Sequence, residues 1–544
     1  MKKFEVIIIG GGATGSCIAR DLSLRGINCC LIDRGDIASE TSSKNHGLLH
    51  SGMRYVIKDF ESAVECATEN KILRKIAKHV IDDQINHFVS INENEFAYAE
   101  KALKAAKKAN VYFEEVEIEK LFELEPEITP QVQFAVKTKD SAIDSFRWTI
   151  ENALSAKFNG ATILTYHNVD HLLLTKKGHV RGVKATNLLN KERKKIEAEI
   201  VVNAAGPWAG EVAALANIQI PMVPSKGTMV VFGRRICNGG IQRLRPSGDG
   251  DILVAHQTTS ILGTTSIPVE DPDKAIPTWD EAERQINDFT KVIPSIAQAK
   301  VIRLFCGVRP LVEIQGKTGR EASRSIILID HENEGINQVN GFITITSGKL
   351  ITSRHMAEIT ADLVAKKLGN KSKCQTHKEP LPGSRGELTS KELLQEFRIT
   401  PAAANRLIAK QGARAKRILE AYPEDNYTLC ECENILASEI RWAINSEFAM
   451  TLDDIRRRTR VGMGVCQGTF CAQKIMGIIT KEFKLSQNEA LKNLESFYQE
   501  RWKGMNCTGL EGGELDQLEL FKTVNWYFAG LKPPYDQLSD KLNE

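Results

Sequence analysis

The sequence predicts an α/β fold in which a Rossmann-like domain is interrupted by a sheet-rich domain and followed by an α-rich C-terminal unit. Residues 4–33 alternate strand, glycine turn, helix and strand, and strand signals recur through 160–265 and 300–346. Beyond residue 390 the pattern is almost wholly helical. A length of 544 residues also requires several folding units, because one hydrophobic core seldom grows beyond about 250–300 residues.

The first element is a βαβ unit with the glycine pattern GxGxxG. Gly10 makes the turn, Gly12 lets the backbone approach a pyrophosphate, and Gly15 permits close packing of the helix. Asp33 ends the second strand, where its carboxylate can accept hydrogen bonds from ribose hydroxyls. The unit therefore predicts dinucleotide binding, although FAD and NAD proteins share this pattern.

Two further segments bear on the ligand. The apolar strand at residues 200–210 ends in small residues that could pack beside a flavin nucleotide, which favours FAD. The polar loop at residues 39–55 holds histidines together with Lys44, Arg54 and Tyr55. Loops at the carboxyl ends of parallel strands are where ligands bind in such folds, so we expect this loop to contribute to the site.

Later cations suggest an anionic substrate. Arg309, Arg324, Lys349 and Arg354 all lie close to predicted strands. A planar Arg fork matches two phosphate oxygens at once, whereas Lys acts as a point charge. Several such groups would select a dianionic phosphate if they converged, and the sequence alone does not show convergence.

Four of the twelve cysteines have the spacing of metal ligands. Cys430 and Cys432 form a CxC pair, and Cys466 and Cys471 form a C-x₄-C pair. Such a set suits either tetrahedral zinc or a 2Fe-2S cluster. The spacings differ from zinc knuckles and glycines flank Cys466, which favours iron–sulfur. Arginines at 456–460 either offset the cluster's charge or form a solvated helix end.

The bulk composition narrows the class of protein. The formal net charge of +3 provides no global field for nucleic acid. No apolar run reaches the roughly 18–20 residues that a membrane span needs, and residues 1–15 lack a cleavage site typical of secretion signals. The cysteine usage favours a reducing compartment, so we expect a cytoplasmic protein.

In order, VIIIGGGATG, SSKNHGLLHSGMRY, VVNAAGPW, GTTS, GVRPL, SGKL, CEC and RRRTRVGMGVCQGTFC resemble the FAD-bearing large subunit family of anaerobic glycerol-3-phosphate dehydrogenases. The resemblance implies an FAD domain of the D-amino-acid-oxidase type with an inserted antiparallel-sheet substrate domain. It also implies a C-terminal domain like bacterioferritin-associated ferredoxin. The expected units are FAD oxidoreductase 1–367, linker 368–390, helical connector 391–426, 2Fe-2S domain 427–485 and helical tail 486–544.

The resemblance also implies which residues do what. The substrate and catalytic set is His50, Arg54, Tyr55, Arg309, Arg324 and Lys349, with His50, Lys349 or water as the base. The cofactor set is Gly10, Gly12, Ala13, Thr14, Gly15, Asp33, Thr41, Ser42, Ser43, His46, Gly47, Leu48, Ala205, Gly206, Gly348, Lys349 and Leu350. The cluster ligands are Cys430, Cys432, Cys466 and Cys471. The sequence departs from the family at Ser347, where glycine is usual, and at Lys44, where Arg is common.

The predicted activity is oxidation of sn-glycerol 3-phosphate to dihydroxyacetone phosphate with FAD. Electrons would pass through the 2Fe-2S cluster to partner subunits, one of them an iron–sulfur protein at the inner face of the membrane, and on to quinone. Two alternatives stay open. One is an FAD dehydrogenase of a 2-hydroxy acid or an amino acid, and the other is a non-catalytic flavin and iron–sulfur redox sensor or electron-transfer module.

Overall fold

The computed structural model describes residues 3–313, 324–333, 338–527 and 529–531. At its centre is a six-stranded sheet in the order β20-β21-β13-β1-β2-β9. All neighbours pair in parallel except β20 and β21, so the carboxyl ends of five strands share one edge. The strands are β1 (Val6–Ile9), β2 (Cys29–Ile32), β9 (Thr162–Leu164), β13 (Ile200–Asn203), β20 (Ile326–Asp330) and β21 (Phe342–Ser347).

Both faces of this sheet are covered, which explains why its strands are continuously apolar. Three helices pack on one face: α1 (Ala13–Leu24), α5 (Ser145–Phe158) and α8 (Ser353–Leu368). A three-stranded sheet covers the other face: β10 (His167–Leu174), β11 (Val180–Asn187) and β12 (Arg193–Glu197). The predicted order of strand, glycine turn, helix and strand is confirmed at β1, α1 and β2.

The inserted domain is a nine-stranded sheet that closes over the carboxyl edge of the central sheet. Its strands are β5 (Asn86–Ser90), β6 (Phe113–Glu115), β7 (Phe134–Thr138), β14 (Ser225–Phe232), β15 (Gly240–Arg243), β16 (Ile252–His256), β17 (Thr259–Gly263), β18 (Ile267–Pro268) and β19 (Val301–Arg309). The pairing is antiparallel apart from β5 with β15. That one pair is parallel because its strands come from separate excursions of the chain, and long connections permit parallel pairing.

Shorter elements complete the first two-thirds of the chain. A small sheet contains β3 (Leu48–Leu49), β4 (Ile81–Asp82) and β8 (Ser141–Ile143). The helices are α2 (Phe60–Ile76), α3 (Glu93–Lys108), α4 (Ile118–Leu124), α6 (Ala209–Ala214) and α7 (Trp279–Phe289).

The C-terminal third is α-rich, with its own core around Ile440, Ile455, Ile475 and Phe497. It also contains the hairpin of β22 (Thr428–Cys430) and β23 (Ile435–Leu436). Its helices are α9 (Ser390–Glu396), α10 (Pro401–Gln411), α11 (Ala415–Ala421), α12 (Ala437–Ser446), α13 (Leu452–Thr459), α14 (Ala472–Phe483), α15 (Gln487–Leu510) and α16 (Leu515–Lys522). In the described part of the chain, none of the helices combines the length and the apolar character needed to cross a bilayer.

The segment expected to be a linker has irregular structure but lies against the first domain. The backbone N–H of Leu381 donates to the carbonyl of Ile76 at 2.8 Å, and that of Gly383 donates to Glu151 at 3.0 Å. The Leu381 side chain is fully buried. Its polar composition predicted a surface path, and a few buried residues within that path attach it to the domain.

Buried ion pairs join the C-terminal third to the first domain. The Arg147 guanidinium on α5 donates to Glu447 and to Glu151, each at 2.6 Å, and Arg414 lies 2.8 Å from Glu447. Arg147, Glu151 and Glu447 are fully buried. Because an unpaired charge at such depth is costly, this network holds the two parts of the chain in one arrangement.

We expect the substitution Glu447→Ala to lower the free energy of unfolding by about 3 kcal/mol, because it leaves Arg147 and Arg414 short of a buried partner. Scanning calorimetry measures the effect as a lower unfolding temperature. The matched control is Glu123→Ala, which removes the exposed Lys120–Glu123 pair and should cost less than about 1 kcal/mol. Equal effects of the two substitutions would contradict this role of the network.

Candidate active site

A cavity of about 1590 Å³ lies between the carboxyl edge of the central sheet and the nine-stranded sheet. It exceeds the roughly 300–1,000 Å³ typical of small-ligand sites, so it has room for a dinucleotide together with a substrate. Every residue of the predicted cofactor and catalytic sets lies on its wall except Gly15. The structure therefore brings these residues together, and their individual roles remain predictions.

The glycine turn is built by close approaches of backbone to backbone. Gly10 has φ of +113°, and a Cβ there would lie 2.4 Å from the carbonyl oxygen of Ala204. A Cβ on Gly15 would lie 1.9 Å from the carbonyl oxygen of Gly10, which explains why Gly15 sits behind the cavity wall. Gly12 faces Ser42, whose hydroxyl accepts from the backbone N–H of Ala13 at 2.8 Å. These contacts leave an uncluttered approach to the start of α1, where anions bind.

Asp33 is anchored by the loop that it supports. Its two carboxylate oxygens accept the backbone N–H groups of Gly11 at 2.5 Å and Gly35 at 2.6 Å. Burial raises the pKa of Asp33 to about 6, although both backbone hydrogen bonds oppose the shift. The carboxylate is thus held at the end of β2, facing the cavity, where a ribose would lie.

The polar loop after Asp33 is tied to both sheets. Thr41 donates to the carbonyl of Val308 at 2.7 Å, and Lys44 pairs with Glu40 at 2.8 Å. Gly47 has φ of +66°, and a Cβ there would lie 2.6 Å from the ring of His256. His256, which the sequence did not single out, ends β16 and lines the same cavity.

Three aromatic rings lie edge to face along the cavity wall. The ring centroids of His46 and His50 are 5.8 Å apart, and those of His50 and Tyr55 are 5.4 Å apart. His50 Nδ1 lies 3.5 Å from the buried carboxylate of Asp140. Although burial raises it, hydrogen bonds from His50, Ser51 and Gln242 hold the pKa of Asp140 below its ordinary value. Asp140 orients His50, and no local pattern in the sequence reveals this partnership.

The predicted cations converge on the cavity, and protein groups hold two of the guanidinium groups in place. Arg54 lies 3.0 Å from Asp251. Arg309 donates to the side chain of Thr264 and, at 3.0 Å, to the carbonyl of Thr265. Gly227 makes room for Arg309, because a Cβ there would lie 2.5 Å from the guanidinium.

Lys349 and Arg324 close the same side of the cavity. Lys349 Nζ donates to Ser62 at 2.5 Å and to the carbonyl of Arg324 at 3.2 Å, and it lies 5.0 Å from the Tyr55 ring centroid. Burial lowers the pKa of Lys349. Arg354, in contrast, is turned away from the cavity, where Glu69 holds it at 2.6 Å.

Two other predicted segments supply small residues to the wall. Ala205 donates its backbone N–H to Asn203, and Gly206 has φ of +57°. Ser347 and Gly348 have φ of +63° and +66°, so Ser347 adopts the left-handed conformation in which a glycine costs less. The departure from the family at position 347 thus falls on a residue whose backbone favours glycine. Leu350 follows on the wall.

The four predicted cluster cysteines are also brought together, outside the main cavity. Sγ of Cys432 lies 3.7 Å from that of Cys430 and 3.8 Å from that of Cys466. Cys471 precedes α14 and contacts Cys430. Hydrogen bonds from Cys432, and from backbone N–H groups of neighbouring residues, lower the pKa of Cys466 to about 6. Four thiols with backbone N–H donors form a set that suits a metal or a cluster.

The arginines at 456–460 are neither a solvated face nor a uniform belt around the cysteines. Arg457 and Arg458 both contact Asp36, three residues after Asp33, at 2.8 Å and 2.6 Å. Arg456 pairs with Asp453, and Arg460 alone reaches towards a neighbour of a cysteine, Glu433, at 3.4 Å. All four are largely buried.

A second group of possible metal ligands lies behind α8. Glu358, Cys374 and His377 have ligand atoms within 4.8 Å of one another. Arg354 donates to Glu358 at 2.8 Å, and the thiol of Cys374 donates to Asp21 at 2.8 Å. Burial, followed by Asp21, raises the pKa of Cys374 to about 11. These contacts favour a hydrogen-bonded thiol over a thiolate ligand.

Comparison with known proteins gives matches over nearly the whole chain. Residues 5–363 match the family described as FAD dependent oxidoreductase, and residues 374–490 match the C-terminal domain of alpha-glycerophosphate oxidase. The chain is 41% identical to the A subunit of anaerobic glycerol-3-phosphate dehydrogenase from Haemophilus influenzae, over 92% of this chain and 89% of that one. It is 38% identical to the protein of the same name from Escherichia coli, over 97% and 96%.

Solved structures agree with the fold. A glycerol-3-phosphate dehydrogenase from Bacillus halodurans complexed with FAD has a TM-score of 0.72 at 22% identity, over 93% of this chain and 96% of that one. An L-alpha-glycerophosphate oxidase from Mycoplasma pneumoniae with FAD bound has a TM-score of 0.56 at 20% identity, over 70% and 100%.

We expect Ser347→Gly to stabilise the fold by about 0.5–1 kcal/mol, because a left-handed residue with a Cβ costs roughly 1–2 kcal/mol and the entropy of glycine returns part of this. The neighbouring change Gly348→Ala should act in the opposite direction, since its Cβ would lie 2.5 Å from Met356 Sδ. Thermal unfolding of the two variants gives both signs, and destabilisation by Ser347→Gly would contradict the argument.

Proposed function

The chain belongs to the FAD dependent oxidoreductase family and, within it, to the family of anaerobic glycerol-3-phosphate dehydrogenase A subunits, and on that premise we propose that it oxidises sn-glycerol 3-phosphate to dihydroxyacetone phosphate. One observation carries the proposal to this chain. Arg54, Arg309, Arg324 and Lys349 line the same cavity as the glycine turn. A phosphate clamp beside a dinucleotide site is what a phosphorylated alcohol requires.

The cavity wall fits FAD. Gly10 and Gly12 leave room for a pyrophosphate at the start of α1, and Asp33 faces the place for a ribose. Among the described residues, His46 Nδ1 and Ser347 Oγ are buried polar atoms of wall residues without a protein partner, and a polar ring edge would satisfy such atoms. FAD, when bound, supplies the acceptor for the hydride from the alcohol carbon.

Arginine and lysine side chains of this chain bind and orient the substrate. The guanidinium groups of Arg54 and Arg309 are preorganised, because Asp251 and the Thr264–Thr265 groups fix them before substrate arrives. Arg324 adds a third planar fork. Holding the phosphate in this way places the secondary alcohol at one position, which supplies several kcal/mol of the barrier.

We assign removal of the hydroxyl proton to His50. Asp140 lies 3.5 Å from its Nδ1, which leaves Nε2 as the nitrogen available to the substrate hydroxyl. The Lys349 amine donates to Ser62 and to a carbonyl, so it is better placed to hold an oxygen than to accept a proton. Each turnover releases two electrons and two protons, one proton through His50 and one with the hydride.

The four cysteines would hold a 2Fe-2S cluster. The set is four thiols in two sequence pairs, and backbone N–H groups donate to Cys430 and Cys466. Such donors stabilise a charged cluster. A cluster of this kind supplies one-electron transfer, which is needed to divide the two electrons of each alcohol oxidation.

Partners and location follow from the same premise. The bacterial relatives are named as one lettered component of a larger enzyme, which supports the existence of partner subunits. We propose that one of them is an iron–sulfur protein docked at the inner face of the membrane, through which electrons reach quinone. A cytoplasmic location is part of this proposal, as is the division of the chain into units at 1–367, 368–390, 391–426, 427–485 and 486–544.

Anaerobic mixing of the FAD-loaded protein with sn-glycerol 3-phosphate is expected to bleach the flavin absorption. Arg324→Gln should lower kcat/KM for this substrate roughly 10- to 100-fold, the equivalent of a hydrogen bond to a charged group. The slow rate with glycerol, which has no phosphate, should stay unchanged.

Arg193→Ala is the control, because Arg193 is an exposed cation on β12, away from the cavity. Full flavin colour after an hour with substrate would reject the substrate assignment. An equal loss with both substrates in Arg324→Gln would reject its role in phosphate binding.

Reconstitution with iron and sulfide in the absence of oxygen should give about two irons per chain. Cys432→Ser should lose most of this iron and the paramagnetic signal of the reduced cluster, because its sulfur contacts two other ligands. Cys507→Ser should retain both, since the Cys507 thiol instead donates to the carbonyl of Gly504 at 3.4 Å. One zinc per chain, or iron unaffected by Cys432→Ser, would overturn the cluster assignment.

A further inference from the structure

One turn of the inserted domain contacts both the loop expected to hold the flavin and the loop that carries the cysteines. It joins β16 to β17 at residues 256–259. His256 Nε2 contacts the carbonyl oxygen of His46 at 2.7 Å, and the hydroxyl of Thr258 donates to Glu433 at 3.4 Å. Two residues of a single turn therefore link one loop to the other through hydrogen bonds.

The contact on the flavin side is fixed. Burial, then the positive charge of Arg460, lowers the pKa of His256 to about 4. The ring is therefore neutral at neutral pH, and because a carbonyl only accepts, Nε2 carries the proton and donates to His46. Gly47 packs directly on this ring, which excludes any side chain between the two groups.

The contact on the cysteine side ends beside two ligands. Glu433 follows Cys432 in the sequence and is 3% exposed. Its backbone N–H donates to the thiol of Cys430, and its carboxylate accepts from Arg460 Nε at 3.4 Å. A Cβ on Gly464 would lie 2.7 Å from Cys432 Sγ and 3.1 Å from the Glu433 side chain, so the loops are packed without free space.

Other charges near this pair are already matched. Lys410 pairs with Asp144 at 2.7 Å, and Arg406 pairs with Glu439. Arg460 and Glu433 therefore remain as a buried pair of opposite charges directly beside the cysteine loop. Exposed charges close to the cysteines, such as Glu431 between Cys430 and Cys432, are screened by solvent.

We infer that Glu433 and Arg460 are positioning residues that set the reduction potential of the cysteine-bound cluster and, with the 256–259 turn, hold it against the flavin loop. The inference rests on the proposed 2Fe-2S cluster. The physical reason is charge. Reduction adds one negative charge to the cluster, so a buried carboxylate opposes it and a buried guanidinium favours it, in surroundings where neither charge is well screened.

The two residues predict shifts of opposite sign. Glu433→Gln leaves the Arg460 charge unbalanced and should raise the midpoint potential of the cluster. Arg460→Gln leaves the Glu433 charge unbalanced and should lower it. Arg460→Lys keeps the positive charge and should restore a potential close to that of the unmodified protein. A purely structural role would not produce shifts of opposite sign with rescue by charge.

The experiment is an anaerobic redox titration of the reconstituted full-length protein, followed by the paramagnetic signal of the reduced cluster. Glu431→Gln is the matched control, because it removes the same charge at an exposed position on the other side of Cys432, and it should leave the potential unchanged. Iron content and the rate of flavin bleaching by sn-glycerol 3-phosphate are measured on the same Glu433→Gln sample, and both should match the unmodified protein.

Opposite shifts in the two Gln variants, with Glu431→Gln unshifted, support the inference. An intact cluster whose potential is the same in all variants, or shifts in one direction in both, overturns the inference and leaves the proposed function standing. A chain without a 2Fe-2S signal before any substitution overturns the cluster assignment, and the inference falls with it.

Discussion

The structure depends on a place where two backbone segments meet with no side chain between them. Gly10 lies against the carbonyl of Ala204, and Gly15 lies against the carbonyl of Gly10. These contacts bring the turn after β1 and the end of β13 side by side, so the carboxyl edge of the central sheet opens into one cavity rather than two clefts. The cationic residues of the inserted sheet and of β21 reach the glycine turn only because this edge is so compact.

A second constraint connects that edge to the C-terminal third. Asp36 belongs to the loop that begins at Asp33, and it receives Arg457 and Arg458 from α13. Although burial opposes its ionisation, these two guanidinium groups hold the pKa of Asp36 below its ordinary value. The nucleotide loop and the cysteine-bearing unit are therefore fixed by one buried set of charges, and the arginines act mainly as a mechanical link between them.

Local sequence patterns predicted those parts of the molecule that are encoded locally. The GxGxxG turn needs glycine at fixed intervals, the two cysteine pairs have short spacings, and the loop at residues 39–55 follows a strand whose end faces the site. Partnerships across the chain have no such pattern. Asp140 lies ninety residues from His50, and neither His256 nor Glu433 has a neighbour in the sequence that signals its contact. Polar composition suggested a free linker at 368–390, where the attachment depends on isolated residues such as Leu381.

The packing of α15 on the inserted sheet bears on how the two halves of this chain can be separated. Gly504 lies so close to β19 that a Cβ would be 1.9 Å from the carbonyl oxygen of Leu304. The backbone of the last long helix thus covers the strand that ends in Arg309. Excision of the C-terminal third would strip that strand and leave Arg147 and Glu151 facing water without Glu447. The iron–sulfur portion is consequently not a detachable module for protein engineering, and a shortened oxidase derived from this chain would need a redesigned surface along β19 and α5.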